Sequence, residues 1–64
     1  MSNAVTMAVV TAGATDLASD MELSTALSVL LNQANDEAHD WAIDAICHEM
    51  ARRERDYREA LHVG

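Results

Sequence analysis

Beyond residue 20 the large apolar residues recur at three- and four-residue steps. Leu23, Leu27, Leu30, Leu31 and Ala34 share one side of a helix. Ahead of them, Ser19-Asp20-Met21-Glu22 has the spacing of a capping box. There the Ser19 hydroxyl accepts the Glu22 N–H, and the Glu22 carboxylate accepts the Ser19 N–H. Ala18 and Leu23 occupy the flanking staple positions, and Asp16 with Leu17 offers an earlier start. The run Asn32-Gln33-Ala34-Asn35-Asp36 then breaks the pattern. Asn and Asp compete for local backbone hydrogen bonds, so the run predicts a helix end and a new N-cap at Asn35 or Asp36. A second helix follows, with Trp41 and Ala42, Ala45 and Ile46, Met50, Tyr57 and Leu61 forming its stripe and Cys47 alongside. Arg53 and Glu54 interrupt that stripe. Acids stand in its first turns and arginines in its later ones, as the helix dipole favours. One continuous helix is the competing reading, because no Gly or Pro lies between residues 14 and 63. It would run to about 40 residues, long for a globular helix, so two helices are preferred.

Residues 1–19 read differently. They are rich in Ala, Thr and Val, and Val5–Thr11 has β-branched character. The segment is expected to be a tail, or a short strand if it finds a partner strand. The fold class is therefore all-α: a helical hairpin over residues 20–64, preceded by a tail or strand over 1–19.

Such a hairpin cannot enclose its own apolar stripe. Half of the 64 residues are hydrophobic by type, but twelve are Ala and none is Phe. Docking a second copy into a four-helix bundle is the natural remedy, so a homodimer or tetramer is expected. Its interface would take Leu23, Leu27, Leu30 and Leu31 from the first helix. The second would give Trp41, Ile46, Met50, Tyr57 and Leu61. Ala38, Ala42 and Ala45 would let helices approach closely beside Trp41.

Charge narrows the choice of partner. The formal net charge is −7, and residues 1–51 hold eight acids and no Lys or Arg. Arg52, Arg53, Arg55 and Arg58 are interleaved with Glu54, Asp56 and Glu59, and the spacing predicts Arg52–Asp56 and Arg55–Glu59 pairs. A surface of this sign repels phosphate backbones and anionic lipid, so neither nucleic acid nor membrane is the expected partner. No run approaches the ~20 apolar residues of a spanning helix. Ala12-Gly13-Ala14 has the look of a cleavage site, but no positive charge precedes the short apolar stretch, so no signal peptide is read. The lone Cys47 cannot build a disulfide scaffold and fits a reducing, cytoplasmic setting.

Candidate chemistry is sparse. Asp36, Asp40, Asp44 and His48 are spaced by four and form a ladder on one helix face. Asp44 and His48, with Cys47 or Glu49, could hold a divalent ion across a symmetric dimer. A solvated face with an Asp–His pair is the preferred reading, and no metal or cofactor is assigned. His48-Glu49-Met50-Ala51-Arg52 is similar to a zinc-protease helix, but Arg52 stands where the second His is required. Cys47 and His48 point about 100° apart on a helix, which disfavours a thiol–imidazole pair. The expected function is a non-catalytic, homo-oligomeric interaction or regulatory module with an acidic surface. One form of it is an inhibitor that occupies a basic surface of its target. The alternative is a DNA-binding regulator or antitoxin that resembles ribbon–helix–helix proteins in element order and size alone. Its candidate strand offers no Arg, Lys, Gln or Asn after Asn3 for the groove. A metal-binding helical dimer is the second alternative.

Overall fold

The computed structural model describes residues 3–62. They form three α-helices: α1 (Asn3–Gly13), α2 (Asp20–Gln33) and α3 (Asp40–His62). Single 3-10 turns at Thr15–Leu17 and Glu37–His39 lead into α2 and α3. Two expectations are corrected here. There are three helices where two were expected, and Val5–Thr11 is helix where a tail or strand was expected. That change removes the element order on which the ribbon–helix–helix resemblance stood.

Tertiary packing explains the helix at the N-terminus. Val5, Ala8 and Ala12 lie on one stripe of α1 and are all buried. Burial of that stripe outweighs the weak helix propensity of Val and Thr. The Thr11 hydroxyl donates to the Met7 carbonyl one turn back at 3.0 Å, which satisfies it within the helix. The β-branched residues favour strand in isolation, but the small residues Ala8 and Ala12 beside them let the segment pack as a helix.

Start and stop signals of α2 behave as their chemistry requires. The Ser19 hydroxyl accepts the Glu22 N–H at 3.1 Å, and Glu22 Oε1 accepts the Ser19 N–H at 2.8 Å. That backbone donor, followed by the Ser19 hydroxyl, holds the Glu22 carboxyl below its ordinary value. The helix ends at Gln33, and Ala34 leaves helical geometry while its N–H still bonds the Leu30 carbonyl. A continuous helix through residues 32–36 is thereby excluded. Asp36 then starts the next turn, with Oδ1 2.8 Å from His39 Nδ1 and its carbonyl accepting the His39 N–H at 3.0 Å. The His39 contact lowers the Asp36 pKa.

The core lies where the three helices meet. Leu23, Leu30, Ala42 and Ile46 are completely enclosed, with Val5, Ala8, Ala12, Ala26 and Ala34 packed around them. Five of these nine side chains are Ala, so the helices approach closely and little volume is available to lose. Of the residues expected at a dimer interface, Leu23, Leu30 and Ile46 find their burial inside the chain. Leu27 and Met50 pack partly against the core, while Leu31, Trp41, Tyr57 and Leu61 stay exposed. Arg53 of α3 reaches Asp20 at the start of α2, so α3 runs back alongside α2. Every residue from Glu54 to His62 is exposed, so the last turns of α3 run on without burying a side chain.

Ile46→Ala removes one of the three largest fully buried side chains. We expect a loss of about 2–5 kcal/mol. A chain of 64 residues holds only roughly 3–10 kcal/mol in total. The variant should be largely unfolded at 37 °C, and urea titration followed by circular dichroism measures the difference.

The Trp41 cleft and the Arg53 clamp

Two features stand out on the surface of α3. Toward its start, Trp41, Asp44, Ala45, Cys47 and His48 line an open cleft whose far wall is Thr15, from the turn after α1. Toward its middle, Arg53 ties the helix to that same turn.

The clamp uses most of the guanidinium. Arg53 Nε donates to Glu49 Oε2 at 2.7 Å, and Nη1 donates to Asp20 Oδ1 at 2.8 Å. Nη2 donates to two backbone carbonyls, Ala18 at 2.6 Å and Thr15 at 3.0 Å. One side chain therefore satisfies the backbone of the connection between α1 and α2 and fixes it to α3. A planar fork of donors suits this task, and an ammonium could not reach all four acceptors. The bonds to Asp20 and then Glu49 raise the Arg53 pKa. Among the described residues Glu49 is the one buried charged side chain, 6% exposed. It also accepts from Arg52 Nε at 3.1 Å and Arg52 Nη2 at 2.6 Å. A buried carboxylate persists only when paired and hydrogen-bonded. These arginine bonds, Arg52 first, carry its pKa down to about 2 from 4.5 against the upward pull of desolvation.

Spacing alone predicted the Arg52–Asp56 pair, found at 3.1 Å. Arg58 pairs with Glu54 at 2.8 Å, whereas no Arg55–Glu59 ion pair occurs among the described residues. Sequence reasoning missed the role of Arg53, which was read as a break in the apolar stripe. One signal was available: Glu49 and Arg53 are four apart at positions where the stripe would continue, and a paired charge can replace an apolar residue there.

The cleft collects several residues singled out by pattern. Trp41 is 51% exposed, so half its surface meets solvent. Asp44 and His48 both line the cleft, yet no ion pair joins them among the described residues. No group of three or more His, Cys, Asp or Glu side chains is placed to share a metal ion among the described residues. Cys47 is a free, exposed thiol. Glu37 and Asp40 precede Trp41 by one turn and one residue and are exposed, as is Asp44. By contrast, Arg52, Arg53 and Arg58 are engaged by other acids, namely Asp20, Glu49, Glu54 and Asp56. Glu37, Asp40 and Asp44 form no ion pair among the described residues, and Asp44 shares the cleft with the aromatic ring. No helix among the described residues is long and apolar enough to cross a membrane.

No family model, no curated protein and no solved structure matches this chain.

The geometry makes two predictions. Arg53→Lys keeps the charge but loses contacts to Thr15 and Ala18, so its melting temperature should fall nearly as far as that of Arg53→Ala. A lysine variant as stable as the parent would show that charge alone suffices. The Glu49 prediction concerns acid. Folding binds a proton at Glu49 less readily than the unfolded chain does, since its pKa falls from 4.5 to about 2. Its contribution is therefore complete above pH 4.5 and shrinks as pH drops toward 2. Melting temperature should decline across that window, and Glu49→Gln should start lower and decline less.

Proposed function

We propose that this chain is a non-catalytic protein–protein interaction module, self-assembled, that binds a basic surface of another protein through the Trp41 face. The observation that carries the reading is a half-exposed Trp41 with Asp44 lining the same cleft and exposed Glu37 and Asp40 within four residues of it in sequence. Exposed tryptophan is a common anchor of binding energy. Its ring face attracts Lys and Arg by cation–π interaction, and the carboxylates near it steer the same groups in. The cleft beside the ring, between Thr15 and the α3 side chains, gives such a side chain somewhere to enter. Occupying a basic surface would make the module an inhibitor or regulator of its target. An exposed Cys47 suits a reducing compartment, so the cytoplasm is the proposed location.

Trp41 is the single Trp of the chain, so its fluorescence reports directly on this face. Titration with a short Arg-rich peptide should shift its emission, with an affinity that falls as salt rises. Asp40→Asn with Asp44→Asn should weaken binding at least tenfold. The charge-matched pair Glu54→Gln with Glu59→Gln should change it less than threefold. Equal effects from the two pairs would reduce the interaction to net charge and reject the Trp41 face.

A further inference from the structure

α3 outruns the bundle that supports its first half. Every residue from Glu54 to His62 is exposed, and the molecule measures 47 × 19 × 17 Å. The stripe that buries Ala42 and Ile46 continues past the core at three- and four-residue steps through Met50, Arg53, Tyr57 and Leu61. Tyr57 and Leu61 are each 65% exposed. At the root of the projection, Met50, Arg53, Glu54 and Tyr57 of α3 and Asp20 of α2 line an open pocket of ≈ 390 Å³.

We infer that this end of α3 pairs antiparallel with the same end of a second copy, Leu61 of each seating in the pocket beside Met50 and Tyr57 of the other. The inference rests on the self-assembly in the proposed function and assigns it a surface. Reach requires the second copy. Leu61 stands roughly 16 Å beyond Met50 on a straight helix, so it cannot cover its own pocket. An antiparallel partner brings it there, and a two-fold axis makes the contact occur twice.

Charge admits a copy at this end and opposes one elsewhere. Residues 1–51 carry eight acids and no Lys or Arg, whereas residues 52–62 carry four Arg against Glu54, Asp56 and Glu59, a net of +1. The acids lining the pocket are already neutralised within the chain, Asp20 by Arg53 and Glu54 by Arg58, both at 2.8 Å. Antiparallel pairing also sets the two acidic bodies at opposite ends. Each tip, with Arg55 and Arg58, then lies toward the other copy's acidic body.

Area sets the strength. The chain exposes 4605 Å². A compact monomer of 7.0 kDa should expose ~4,000 Å². The excess lies in the projecting turns of α3, where no side chain is buried. Burying it on both copies gives an interface of roughly 1,200 Å², at the low end for a specific complex, so the dimer forms at micromolar concentration or above.

Light scattering after size exclusion tests this on the full chain, loaded at about 200 μM to suit a weak interface. The parent should run at twice the chain mass. Tyr57→Gln with Leu61→Gln should run at the monomer mass and stay helical, since both residues are exposed and Gln is a good helix former that adds no charge. Met7→Glu with Met21→Glu, exposed on α1 and α2, should leave the dimer intact. Orientation is read by cross-linking in a Cys47→Ser background. Met50→Cys chains mixed with Leu61→Cys chains should form a disulfide between copies, and Leu61→Cys chains alone should not. A monomeric parent would overturn self-assembly itself. A dimer that survives the Tyr57 and Leu61 substitutions, or dissociates with the methionine pair, would overturn this surface and leave self-assembly standing. Leu61→Cys chains that cross-link to each other as readily would overturn the antiparallel arrangement.

Discussion

Scarcity of large buried side chains governs this molecule. The enclosed core contains four residues bigger than Ala, namely Val5, Leu23, Leu30 and Ile46. Alanine fills the remaining positions, so the helices must pack closely to bury anything at all. A third helix helps close the core, adding Val5, Ala8 and Ala12 of α1 to the buried residues of α2 and α3. α1 fills that role despite a composition that favours strand, and its small residues Ala8 and Ala12 are what allow the approach.

A core this small leaves the chain connections to be held by other means. Arg53 does so where the turn after α1 meets α3, through two backbone carbonyls and two carboxylates. Glu49 is buried for the same purpose, as the counter-charge that sets the guanidinium in place. The clamp also has a consequence for the surface. It fixes Thr15, and Thr15 is the wall of the cleft beside Trp41. The proposed binding face therefore depends on an ion-pair network built from the opposite end of that turn. Charge is segregated along with it. Glu37, Asp40 and Asp44, near the start of α3, form no ion pair among the described residues, whereas α1 carries no charged residue.

Much of this could be read from the residues, and the failures have physical causes. The capping box at Ser19–Glu22, the break near residues 33–36 and the Arg52–Asp56 pair were legible because each depends on local spacing. The stripe of Leu23, Leu30 and Ile46 was legible as apolar, but its partner was not. Periodicity marks which side is buried and is silent on what buries it. α1 was missed because Val and Thr favour strands in isolation, and packing against both α2 and α3 reverses that preference. The Arg53 clamp spans more than thirty positions in sequence and ends on carbonyl groups, which every residue possesses. Trp41 is expected by residue type at a hairpin or dimer seam; within the single chain Ala42 and Ile46 take the inward positions of α3 and the ring is half exposed.

The central proposal is that a chain with so small a core completes its stability by pairing with a copy of itself. The most direct test is the melting temperature, followed by circular dichroism at 222 nm, over a hundredfold range of chain concentration. Coupled folding and association predicts a midpoint that rises steadily with concentration. A midpoint that stays constant across the range would contradict the account and show that the three helices are sufficient alone.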